Sequence, residues 1–102
     1  MRIEVEQQLQ KLPEGTEARI EVTCLHRVVD LVGAIKRLHK ALKPRGVLVI
    51  SGLFGDNCWR DPRAKREITS DTFGPFDRNS TDEDLPHFFF INASPGQVEL
   101  TK

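Results

Sequence analysis

Two cysteines, Cys24 and Cys58, stand far apart in a chain of 102 residues, and no C-x-x-C or H-x-x-x-H pair accompanies them. That scarcity argues against a disulfide-stapled scaffold and against a zinc module of ordinary spacing, leaving two reduced thiols as the expectation. Net charge is also lacking, since 15 basic residues balance 15 acidic ones. Binding driven by bulk electrostatics shows as a basic excess, so nucleic acid and anionic lipid are not expected partners. No apolar run matches a signal peptide or a membrane span, and the opening "MRIEVEQQLQ" alternates charged with apolar residues. The expectation is a cytoplasmic chain, with no membrane partner, that meets small molecules or proteins. Tyrosine is absent altogether, which alone excludes nothing.

What is present suits one small folded domain over residues 1–102. Apolar residues at 38% and charged residues at 29% are ordinary for a globular protein, and the length matches a single core. Val28, Leu31, Ile35, Leu38 and Leu42 recur at three- and four-residue steps, which predicts a helix over 31–42 with one apolar stripe. Asp30 is a suitable N-cap, and Pro44 with Gly46 reads as the stop. "ARIEVTCL" before this helix and "GVLVIS" after it read as strands. A strand, a helix and a strand in so few residues make a βαβ unit with parallel strands. Val47–Ile50 is continuously apolar, as in a strand covered on both faces, whereas Arg19, Glu21 and Thr23 alternate with Ile20, Val22 and Cys24 and leave one face of the first strand wet.

The opening segment reads as a short strand passing into a helical turn that Pro13 and Gly15 end. Residues 52–85 read as a long loop with one helical turn around "DPRAKRE". Phe88–Ile91 and Val98–Leu100 predict a closing antiparallel hairpin around "NASPGQ". The fold class is therefore α/β, a small mixed sheet with a βαβ unit and a C-terminal antiparallel hairpin.

Leu12-Pro13, "CLHRVVD" and "LKPRGVLVIS", in that order, resemble the class I methyltransferases that use S-adenosylmethionine. The matching stretch in that family runs from the loop before its fourth strand, through a helix ending "LKPGG", to its fifth strand. "CWRDPRAKREITSDTFGPF" is similar to a "W.DPtH.R..T...f" segment found after that strand in some of these enzymes. The resemblance covers about Ile3 to Leu100 and implies the second half of a Rossmann-like domain. It assigns Gln8, Leu25 and His26 to the cofactor side and Trp59, Arg60, Asp61 and Arg63 to the acceptor side. The family's glycine-rich first turn and the acidic residue ending its second strand have no counterpart here. Glycine there admits the cofactor to the backbone, and the carboxylate accepts both ribose hydroxyls. The expectation is a partial domain without independent catalytic activity, with S-adenosylmethionine implied by resemblance but not bound by the isolated chain.

Plainer readings stand beside these. Leu25 and His26 also read as a core leucine and a solvent-facing histidine. Arg60, Arg63, Lys65 and Arg66 near Trp59 could grip an anionic substrate, or pair with Asp56, Asp61, Glu67 and the run Asp82–Asp84. Phe88–Phe90 must point to both faces of a strand, as core on both sides or as a dimer interface. The alternative function is a small α+β module that binds a protein or ligand through the Trp59 loop or the Phe88–Phe90 strand. A homodimer or partner protein is expected to cover the exposed sheet face.

Overall fold

The computed structural model describes residues 1–102. Strands β1 (Arg2–Ile3), β2 (Glu17–Val22), β3 (Leu42–Ser51), β4 (Phe89–Ser94) and β5 (Gln97–Thr101) form one mixed sheet in the order β1-β2-β3-β5-β4. The first three are parallel, and β5 lies antiparallel to both β3 and β4. Helix α1 (Leu31–Ala41) connects β2 to β3, which is the expected βαβ unit.

Helix α1 starts where Asp30 Oδ1 accepts the Gly33 N–H at 3.0 Å. Ala34, Ile35, Leu38 and Ala41 are buried, while Lys36, Arg37 and Lys40 face solvent. The helix ends sooner than the stop residues imply. Leu42 already has extended torsions (φ −74°, ψ 140°), and the chain passes directly into β3. Pro44 and Gly46 lie inside that strand, in a bulge. Pairing jumps from Glu17↔Leu42 to Arg19↔Val47, and Arg45 takes φ 66° to absorb the extra length. Gly46 is needed there because a Cβ would meet the Lys43 carbonyl oxygen at 2.8 Å and the Glu17 carbonyl oxygen at 3.1 Å.

The core lies on one side of the sheet. Ile20, Val22, Leu48, Ile50, Val98 and Leu100 join the buried face of α1 and Phe73, Phe76 and Phe88 in one apolar cluster. Burying each large apolar side chain contributes about 1.5–3 kcal/mol. Strand alternation turns Arg19, Glu21, Val49, Ser51 and Glu99 to the other face, which no helix covers. Ser51 Oγ donates to Glu21 Oε1 there at 3.0 Å. Val49 is nonetheless 2% exposed, because it pairs between Glu21 and Glu99 in register. The two-sided cover expected for 47–50 is thus core on one face and polar neighbours on the other. This face carries its own polar pairs, Ser51 with Glu21 and Gln97 with Glu99.

The segment after β3 holds two 3₁₀ helices, Gly55–Arg60 and Ser70–Phe76. "DPRAKRE" itself forms non-helical turns, so the helical turn expected there is displaced toward the N-terminus. The hairpin is longer and its turn tighter than expected, with only Pro95 and Gly96 between paired Ser94 and Gln97. Gly96 supplies φ 86°, the positive value that the second turn residue requires after proline.

Candidate functional site

In a parallel sheet the strands' carboxyl ends are where connecting segments gather and ligands find a crevice. Here β1 runs into Glu4 and Val5, β2 into the turn Thr23–Asp30, and β3 into Gly52. Cys24, Leu25 and His26 of the β2 turn are all buried. Residues 58–68 are tied down over them.

Asp61 is the centre of the tie. Its Oδ2 lies 3.0 Å from His26 Nε2, and its Oδ1 accepts the Arg63 N–H at 3.0 Å and Arg63 Nε–H at 3.3 Å. A carboxylate can only accept, so His26 carries its hydrogen on Nε2. Arg27 Nε sits 3.3 Å from the same Oδ2 but off the hydrogen-bond direction, so that contact is coulombic. The Arg27 guanidinium also donates to the Glu4 carbonyl at 2.9 Å, which joins the end of β1 to the same knot. The Arg63 backbone N–H, then the hydrogen bonds from His26 and the Arg63 side chain, hold the Asp61 carboxyl down at about 2, against an opposing effect of partial burial.

A second clamp lies beside the first. The Arg66 guanidinium donates to the carbonyls of Leu25 (2.8 Å), Val28 and Val29 (3.2 Å), and the Lys65 N–H to the His26 carbonyl at 2.6 Å. These carbonyls lie in an irregular turn without a strand or helix ladder, and the planar fork of arginine answers three of them at once. Cys58 anchors the start of the segment, with its Sγ donating to the Leu53 carbonyl at 3.3 Å and accepting the Ile68 N–H at 3.2 Å.

The sequence-predicted residues separate accordingly. His26, Asp61 and Arg63 come together. His26 is 4% exposed, so it is neither a solvent-facing side chain nor one that a substrate can reach. Leu25 belongs to the core. Gln8 lies apart, its carbonyl oxygen accepting the N–H groups of Glu4 (2.7 Å) and Val5 (3.1 Å). Trp59 is 54% exposed, with Nε1 donating to Glu67 Oε1 at 2.8 Å, and Arg60 is exposed beside it. Arg27 was not a sequence candidate, and nothing local to it signals its partners. Arg66 stood among the basic residues of the loop, but it grips main chain of this protein.

Two open grooves lie near the carboxyl ends of the parallel strands. One, of about 510 Å³, is lined by Glu6, Cys24, Arg27, Val29, Arg63 and Lys65 among others. Burial pushes the Cys24 thiol up, against the opposing charge of Arg27, so it is held as a neutral thiol. The other groove, about 650 Å³, lies past the end of β3 between Gly52, Asn57, Thr69, Ser70 and the hairpin tip at Ser94, and none of its lining residues is charged. No helix of the chain is long and apolar enough to cross a membrane.

No protein-family model matches the chain, and neither a curated protein nor a solved structure is found similar to it.

Proposed function

We propose that the chain is a methyltransferase-like partial domain without independent catalytic activity, acting as a scaffold that presents the segment after β3. The reading is supported by one arrangement above all. A parallel β2-α1-β3 unit is followed by a long segment folded over the strands' carboxyl ends and by a closing antiparallel hairpin. That order is what the resemblance implies.

S-adenosylmethionine does not fit the residues assigned to it. The Gln8 carbonyl is already taken by two main-chain donors, Leu25 lies in the core, and the His26 ring is closed against Asp61. Methyl transfer needs the cofactor and acceptor held in line at close range, and these side chains leave no position for that.

The alternative, a small binding module, is favoured by a separate observation. Trp59, Phe89 and Phe90 are each at least 38% exposed, and partly exposed aromatics are common anchors for partners.

The test uses purified chain. Radiolabelled methyl transfer to a panel of small acceptors is expected to show no turnover, and an enzyme-like rate overturns the proposal. Trp59 is the sole tryptophan, so its fluorescence reports on the loop directly. S-adenosylmethionine and its demethylated product are expected to leave it unchanged, whereas a ligand seated on the loop shifts its emission to the blue.

A further inference from the structure

The smaller groove holds more hydrogen-bond donors than the chain has acceptors for. It opens where β1 and β2 end, between Val5–Gln7, the β2 turn and the segment from Pro62 to Lys65. Three cations line it. Arg27 donates one terminal nitrogen to the Glu4 carbonyl, and its Nε is buried without a hydrogen-bond partner although Asp61 Oδ2 lies 3.3 Å away. The Arg63 side chain meets Asp61 through Nε alone, which leaves both of its terminal nitrogens without an acceptor. Lys65 gives its main-chain N–H to the His26 carbonyl and leaves Nζ in solvent. Glu6 is the one anion of the lining and pairs with none of the three. Asp61 lies outside the lining with both oxygens occupied, so even with it counted three positive charges face two negative ones. The wall between the charges is apolar, with Val5 44% and Val29 71% exposed and Pro62 beside them.

We propose that this groove binds a small organic anion, a carboxylate or phosphate group on an apolar body, with Arg63 and Lys65 holding the charged group and Val5 and Val29 covering the body. An ionised oxyanion offers acceptors and no donors, which is what the groove lacks, and the planar fork of Arg63 meets two oxygens at once. Arg27 adds its charge to theirs. The apolar body distinguishes the ligand from a bare ion, which would leave both valines in water.

Preorganisation favours the site. The main chain at Arg63 is tied to Asp61 and at Lys65 to the His26 carbonyl, so binding has only side chains left to order. Arg63 and Lys65 are themselves exposed, which keeps the interaction weak and sensitive to salt. The larger groove has no charged residue in its lining and gives an anion no such preference. The inference stands on these side chains and does not depend on the methyltransferase-like reading.

The test follows the backbone amide NMR signals of the full chain during titration with benzoate, phenyl phosphate and uncharged benzamide, at about 20 mM and about 200 mM sodium chloride. An anion is expected to give saturable shifts at Val5–Gln7, Cys24–Val29 and Arg63–Lys65, weaker at the higher salt, and benzamide none. Saturation by either anion bears the proposal out, and the tighter one names the charged group. Lys65→Gln is expected to weaken binding about threefold, and Arg63→Gln combined with it about tenfold or more. The Lys65 Nζ holds no part of the fold, so Lys65→Gln alone decides if the double variant unfolds. The proposal is overturned if neither anion saturates in the tens of millimolar, if benzamide binds as tightly as benzoate, or if the shifts centre outside the groove. A Lys65→Gln variant with wild-type affinity overturns it too.

Discussion

His26 Nε2 and Asp61 Oδ2 lie 3.0 Å apart, and the bond between them joins the turn after β2 to the segment after β3. It is one strand of a knot that also holds Arg27, Arg63 and the Glu4 carbonyl. Three segments distant in sequence are thereby fixed at one end of the sheet.

The knot makes stability depend on acid. Asp61 falls from its ordinary 3.8 to about 2 in the folded chain. Because the folded value is the lower one, the unfolded chain binds the proton more readily between them. The contribution is complete above the unfolded value and is lost as pH falls through that window. Urea midpoints measured at stepwise pH from about 5 to about 2 are expected to decline for wild type more than for Asp61→Asn, which lacks this titration. Equal declines would show that Asp61 is not responsible.

Arg66 answers three carbonyls; Leu25 keeps the Val28 N–H and Val29 is exposed, but the part-buried Val28 carbonyl loses its donor, so Arg66→Ala is expected to destabilise the chain by about 1–3 kcal/mol. Arg66→Lys is not expected to restore it, since an ammonium group lacks the planar fork. Chemical denaturation gives the magnitude. Faster amide exchange confined to residues 24–29 would locate it.

Neighbouring phenylalanines are expected to respond very differently. Phe88 is fully buried, with its ring edge-on to His39 at 4.9 Å between centroids, while Phe89 is exposed beneath the Arg78 guanidinium at 4.4 Å. Phe88→Ala should cost about 3–5 kcal/mol, a large share of a small domain's stability. Phe89→Ala should cost about 1 kcal/mol or less, the loss of an exposed cation–π contact. Comparable losses in urea titrations would contradict this placement of the two rings.

Gly96 and Gly74 form a similar contrast. Gly96 sits at φ 86°, so Gly96→Ala should destabilise by about 1–2 kcal/mol although there is open space around it. Gly74 has no positive φ and, its chain neighbours aside, nothing within 4 Å of an added Cβ, but it precedes Pro75 in a 3₁₀ helix, so Gly74→Ala should change stability by less than about 1 kcal/mol. Melting temperatures of the two variants are expected to move in opposite directions or by clearly unequal amounts.

Local patterns were legible and distant pairings were not. The helix 31–41 follows from its apolar stripe and from Asp30, all within one short window. The wet face of β2 likewise follows from Arg19 and Glu21 alternating with Ile20 and Val22. Pro44 and Gly46 carry the signature of a turn, but the positive φ of Arg45 lets the strand run through them as a bulge. His26 gives no local sign of burial because its partner is 35 residues away. The three phenylalanines are adjacent and identical, and what separates Phe88 is its bridge to Asp77 and its packing on His39, both distant from it in sequence.

The hairpin has a kinetic consequence. β4 and β5 are joined by two residues, so their ladder forms locally and early. β5 must then dock against β3, where Ser51 pairs with Gln97 from opposite ends of the whole intervening segment. Closing that long loop is the entropically costly event, and the knot at Asp61 shortens the free chain that must be closed. Variants at Asp61 are therefore expected to slow refolding as well as speed unfolding, whereas variants at the exposed Phe89 should leave the refolding rate unchanged.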